Sequence, residues 1–135
     1  MIEAMITYGM LFIGSSYLWG GNGPQFDCSG FIQEILKSVG NHPCPGQDLT
    51  SQQLYDQLRN LNWRSGLKRG SLCFFGPSIY HITHVSMAIS DRRMLEAGGG
   101  DSHTKTVEDA IRLGAMVRIR PLRKDLQSCI IPDIL

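Results

Sequence analysis

Tyr17-Leu18-Trp19-Gly20-Gly21-Asn22-Gly23-Pro24-Gln25-Phe26-Asp27-Cys28-Ser29-Gly30-Phe31 passes from a Gly/Pro-rich loop into the first turn of a helix, with a cysteine at the join. Asp27 is a good N-cap residue, which puts Cys28 at the first helical position. From there Phe31, Ile32, Ile35, Leu36 and Val39 fall on one apolar stripe, and Gly40 sits where a helix-ending glycine belongs. At about 100° per residue, Cys28 projects near the middle of that stripe. Its sulfur is expected to point toward whatever the helix packs on, beside unpaired amide N–H groups and the positive end of the helix dipole. That setting suits a thiolate. Taken alone, a cysteine on an apolar stripe also reads as core filler. The loop before it weighs the other way. Glycines at 20, 21 and 23 and the proline at 24 cost chain entropy unless the backbone needs unusual angles or close approach there.

The whole string resembles the signature of the NlpC-type cell-wall peptidases, a family of papain-like cysteine peptidases. Its members typically carry Tyr-x-Trp-Gly-Gly, a few residues, and then Phe-Asp-Cys-Ser-Gly-Phe. The resemblance runs over roughly residues 8–100. It implies an α+β papain-like domain with N-terminal helices packed on a small antiparallel sheet and Cys28 as nucleophile. It also implies a cysteine endopeptidase acting on peptidoglycan stem peptides, at the γ-D-glutamyl–diamino acid amide, with no metal or organic cofactor. Tyr17 matches the family's upstream tyrosine, which lies beside the nucleophile. Asp27 and Ser29, flanking Cys28, are the other candidate oxyanion or substrate contacts. The oxyanion hole itself is expected at the Cys28 backbone N–H, where donors at a helix start point outward.

At 135 residues the chain is expected to be a single domain with a real core, and a monomer. Hydrophobic residues make up 42% and charged residues 19%, the balance of a globular chain rather than a disordered one. A net charge of +1 gives no electrostatic footprint for nucleic acid. The cysteines at 28, 44, 73 and 129 have irregular spacing and read as reduced thiols. His42 and Cys44 could suggest a metal, but no second ligand pair lies near them, so none is expected. No apolar run is long enough to span a membrane. Met1-Ile2-Glu3-Ala4-Met5-Ile6 lacks the basic start of a signal peptide, so cytoplasmic synthesis is expected, with delivery to the wall by phage, lysis or secretion machinery.

Along the chain, residues 2–13 read as a largely buried helix. A loop covers 40–49. Thr50-Ser51-Gln52-Gln53 fits a capping box ahead of a short helix. After Gly66 the pattern turns to strands: Leu67–Phe75 resembles the family's turn-then-strand segment, and strands follow over His84–Ser90 and Arg93–Ala97, these two joined as a hairpin through Asp91-Arg92. Residues 106–113 read as a helix, and a final strand runs from Met116 to Arg120 and ends at Pro121.

A cysteine nucleophile needs an imidazole to exchange its proton and a group that orients the imidazole. His84 opens an alternating strand, with Val85, Met87 and Ile89 on one face and Ser86, Ala88 and Ser90 beside it on the other. The small-residue face leaves room for a helix end carrying Cys28. The family places its histidine at the start of such a strand. His81, an odd offset away, should face the opposite side. For the orienting group the family uses the next strand, commonly a second histidine. Twelve residues beyond His84 the chain instead carries Glu96, whose carboxylate could accept the imidazole N–H. His103, on the loop beyond, is the competitor. Two other readings stay open: an amidase, acyltransferase or toxin-like hydrolase using the same Cys–His pair, or a catalytically inactive wall-binding domain.

Overall fold

The computed structural model describes residues 1–21, 23 and 26–133. Asn22, Pro24 and Gln25 of the signature loop lie outside the described residues. The elements run α1 (Ile2–Met10), α2 (Cys28–Ser38), α3 (Ser51–Arg59), β1 (Leu72–Phe75), β2 (His84–Ala88), β3 (Arg93–Gly98), α4 (Val107–Leu113), β4 (Met116–Pro121) and β5 (Leu126–Ile130). The strands form one antiparallel sheet in the order β4-β3-β2-β1-β5. Helices packed on this sheet make an α+β papain-like fold.

The principal core lies between α2 and the sheet. Phe31, Ile32, Ile35 and Leu36, the stripe read from the sequence, are fully buried against Leu72, Phe74, Val85, Met87 and Leu95. α1 adds Met5 and Ile6, and its Tyr8 hydroxyl donates to Glu34 Oε1 at 2.8 Å on α2. The expectation of a largely buried helix over 2–13 is corrected here. α1 stops at Met10, and residues 11–13 continue as i to i−3 turns. Leu11 and Ile13 are exposed, because α1 lies on the outside of α2 and only one of its sides finds a partner.

Two further corrections concern the sheet. The face of β2 carrying His84, Ser86 and Ala88 does not receive α2; the Val85/Met87 face does. The larger apolar side chains bury more area per contact, and so they take the helix. The second face is nevertheless buried as well, around Cys73, Phe75, Ala88 and Met94.

The chain also does not finish its sheet at Pro121. β4 and β5 occupy opposite edges, and the link between them crosses the second face. Leu122 and Leu126 pack there, and the Arg123 guanidinium lies 5.5 Å above the centre of the Phe75 ring. β5 pairs with β1 through a bulge: Phe75 opposes Leu126 while Phe74 opposes Ser128, which leaves Gln127 extra. The inserted residue shifts the side-chain alternation, so Leu126 and Cys129, an odd number apart, both join the second cluster. A plain period-two pattern is therefore missing from this strand.

Candidate active site

Cys28 is placed by its cap. Asp27 Oδ1 accepts from the Gly30 N–H at 2.7 Å, and Oδ2 accepts from the Gly20 N–H at 3.1 Å. The Asp27 N–H in turn donates to the Gly21 carbonyl at 3.0 Å. The loop and the first turn of α2 are thus tied together around one carboxylate. Gly20 meets this geometry with φ +75°, a left-handed conformation that suits glycine. Gly30 is needed for a different reason: a Cβ there would run into the Gly21 carbonyl oxygen. The Ser29 hydroxyl, buried, approaches Asp27 Oδ1 at 3.4 Å. Burial raises the Asp27 pKa, with the Gly30 and Gly20 hydrogen bonds opposing it.

α2 carries Cys28 to the rim of the sheet, where β2 begins with His84. There the thiol faces the same cleft as the imidazole and, by its proximity, favours the imidazolium form. The other side of the ring is held by Glu96 on β3, whose Oε1 lies 2.7 Å from His84 Nε2. Glu96 Oε2 accepts from Arg118 Nε at 2.9 Å, and Arg118 stands directly across from Glu96 in the β3–β4 register. A line of four side chains results: Cys28, His84, Glu96 and Arg118.

The electrostatics follow from that line. Burial alone would lower the His84 pKa, but the interactions with Cys28 and then Glu96 outweigh it and raise the value to about 9. Burial would raise the Glu96 carboxyl; His84 and Arg118 overcome it and hold the group below the usual carboxylate value. Imidazolium and carboxylate are therefore the stable forms near neutral pH. Tyr17 is buried, and burial, followed by the negative charges at Cys28, Asp27 and Asp101, pushes its phenol well above the ordinary value. It stays protonated, a hydrogen-bond donor at the cleft.

Cys28, His84, Glu96 and Arg118 line one open cleft of about 820 Å³, together with Tyr17 and Ser51. Asp27, Ser29 and Trp19 border the same cleft. His103 is not against His84: its side chain is 87% exposed, 3.5 Å from Asp101 on the 98–105 loop. His81 is exposed in the turn before β2 and does not line the cleft.

Two residues of the site, Arg118 and Gln33, were not singled out from the sequence, and Gln52 entered only within the Thr50–Gln53 capping box. Arg118 carried a usable signal, since Val117 and Ile119 alternate with Arg118 and Arg120 and so turn both arginines to one face. Gln52 on α3 accepts from the Ile82 N–H at 2.6 Å and donates to the Ile79 carbonyl at 3.0 Å, fixing the approach to His84. Gln33 is buried in α2 and bonds the Leu49 N–H and carbonyl, both at 2.8 Å, which holds the 48–49 wall of the cleft. Gln33 Oε1 also meets His42 Nε2 at 3.0 Å, while His42 Nδ1 accepts from the Cys44 N–H at 3.1 Å. Both nitrogens of His42 are thus engaged by the protein. Among the described residues, no three His, Cys, Asp or Glu side chains cluster as metal ligands would.

The sequence pattern of the NlpC/P60 family matches residues 14–120, which includes every member of this line. The chain belongs to the NlpC/P60 family. Among its relatives is the peptidoglycan endopeptidase RipA of Mycolicibacterium smegmatis, 33% identical over 118 residues, covering 77% of this chain and 22% of RipA. A γ-D-glutamyl-L-lysine dipeptidyl-peptidase of Bacillus subtilis is 35% identical over 100 residues, covering 70% of this chain and 31% of the enzyme. The chain therefore spans less than a third of the length of either relative. Among solved NlpC/P60 structures, the P60 domain of an antigen from M. avium subspecies paratuberculosis superposes with a TM-score of 0.71. The two are 25% identical, and the match covers 99% of this chain and 95% of that domain. No helix among the described residues is long and apolar enough to cross a membrane.

Proposed function

We propose that this NlpC/P60 chain is a cysteine endopeptidase that hydrolyses peptidoglycan stem peptides at the γ-D-glutamyl–diamino acid bond. The observation that carries the reading is the Cys28–His84–Glu96 line, with His84 and Glu96 buried and Cys28 half-buried where the line opens into a cleft. The names of the peptidase relatives support the substrate class. In the proposed cycle the Cys28 thiolate attacks the amide carbonyl carbon, and the Cys28 backbone N–H and the Tyr17 hydroxyl receive the oxyanion. With Nε2 held by Glu96, His84 uses Nδ1 to protonate the leaving amine. A thioester remains. His84, now neutral, takes a proton from water, hydroxide attacks the thioester, and Cys28 leaves as the thiolate beside the restored imidazolium. Glu96 keeps the ring oriented and the imidazolium stable, and Arg118 fixes Glu96. Asp27 and Ser29 act by holding the turn that carries Cys28.

The test is mass spectrometry of purified peptidoglycan, and of a panel of stem peptides, after incubation with the protein. Products ending in free γ-D-glutamate, absent with Cys28→Ala, are expected. Cleavage elsewhere in the panel would move the activity to another amide. Intact peptidoglycan and stem peptides, combined with a Cys28 no more reactive than the other thiols, would favour a binding role instead.

A further inference from the structure

We propose that Cys73 and Cys129 form a dithiol modification site, closed to a cross-strand disulfide by a small-molecule disulfide oxidant. The two residues are direct partners in the β1–β5 ladder, and their sulfurs lie 3.8 Å apart. The pair is of the narrow, non-hydrogen-bonded kind. The Cys129 carbonyl turns outward and accepts from the Gly66 N–H at 3.1 Å, while the Ser71 carbonyl bonds the Ala88 N–H of β2, and Cys73 shares the parity of Ser71. In such a pair the Cα atoms sit about 4.5 Å apart. That is the short end of the separation a disulfide bridges, so side-chain rotation suffices to bring the sulfurs to bonding distance.

Access and reactivity are divided between the two thiols. Cys73 is completely buried; Cys129 is half-buried and opens onto a shallow surface groove beside Gly66 and Leu67. The hydrogen bond between them lowers the Cys129 pKa, and the same bond together with burial raises that of Cys73. The outer thiol is thus the entry point. Cys129, as thiolate, attacks one sulfur of the oxidant RSSR, forming a mixed disulfide and releasing RS⁻. Cys73 then gives up its proton and attacks the Cys129 sulfur, expelling the second RS⁻. The two cysteines lose two electrons and two protons, and RSSR becomes two RSH. The new bond ties edge strand β5 to β1, whose Phe75 packs 5.6 Å from His84 between ring centres. It also closes a long stretch of chain, which restricts the unfolded state.

The experiment uses the full chain with Cys28→Ser and Cys44→Ser, leaving only the pair, treated with oxidised glutathione. The expected product has lost the mass of two hydrogens, yields one peptide containing both cysteines, and melts about 10 °C higher until dithiothreitol reverses the shift. Adding Cys129→Ser should remove the shift and leave Cys73 unmodified in the native state. Glutathione retained on Cys129, a disulfide between two chains, or an internal bond without a rise in the melting temperature would overturn the proposal.

Discussion

His84 is buried, yet its pKa is raised to about 9, because Cys28 and Glu96 both favour its charged form. The sign of the linkage follows. Its contribution to stability is complete below the ordinary value of 6.5 and is lost as the pH rises through about 9. Glu96 behaves oppositely: with its pKa lowered, its contribution is present above the ordinary carboxyl range and is lost as the pH falls through the lowered value. Urea midpoints of the wild type should therefore drop between about pH 7 and 10, and His84→Ala should flatten that slope. Catalysis should track the same proton. His84→Ala is expected to cost on the order of 10²–10⁴ in rate against stem peptides. Glu96→Gln keeps an acceptor without its charge and should lose about tenfold, with the alkaline limb of the pH profile moving down; Glu96→Ala should lose more. Unchanged rates and limbs in both variants would remove Glu96 from the mechanism. Glu96 could be located by counting from His84; for Arg118 the alternation of β4 marks only its face, and its place opposite Glu96 depends on a strand pairing with no local mark.

At the scale of elements, the signature loop and the α2 cap were readable because each residue's reason is local: a cap, a glycine, an apolar stripe. The close approach at Gly30 makes the point testable. Gly30→Ala sets a methyl against the Gly21 carbonyl and should cost about 1–3 kcal/mol, with loss of activity exceeding that of stability as Cys28 shifts. Thermal melts and rates on one preparation separate the two effects. Gln33 was not readable in this way, since a glutamine within an amphipathic helix looks like a surface residue until the 42–49 loop folds over it. Gln33→Leu strands the Leu49 N–H and carbonyl in the interior and should destabilise by roughly 2 kcal/mol or more. A neutral Gln33→Leu would mean that the loop is held by other contacts.

The whole molecule joins two layers at one rim, and the part of it the sequence concealed is the closure of the sheet. β2 and β3 announce themselves by alternation, although the hairpin expected through Asp91-Arg92 turns over Ser90, Asp91 and Arg92, with the Ile89 N–H bonded to the Arg93 carbonyl. β5 does not, because its bulge at Gln127 breaks the alternation and leaves Leu126, Cys129 and Ile130 at spacings that suit a helix equally well. Yet β5 covers the open edge of β1, and the link before it lies over Phe75 next to His84. Ending the chain after Arg123 should then do more than trim a terminus. It uncovers the unpaired ladder groups of β1, takes Ile130 from the principal core and Leu126 from the second cluster, and exposes Cys73. Burial lost from Ile130 and the partly buried Leu126 alone amounts to roughly 2–5 kcal/mol, a large share of the total stability of a small domain. The truncated chain is expected to lose its cooperative urea transition and to aggregate through the bare β1 edge, while Cys73 becomes open to alkylation without denaturant. If it instead keeps the wild-type midpoint and a protected Cys73, β5 is an attachment to the fold and the sheet is complete with four strands.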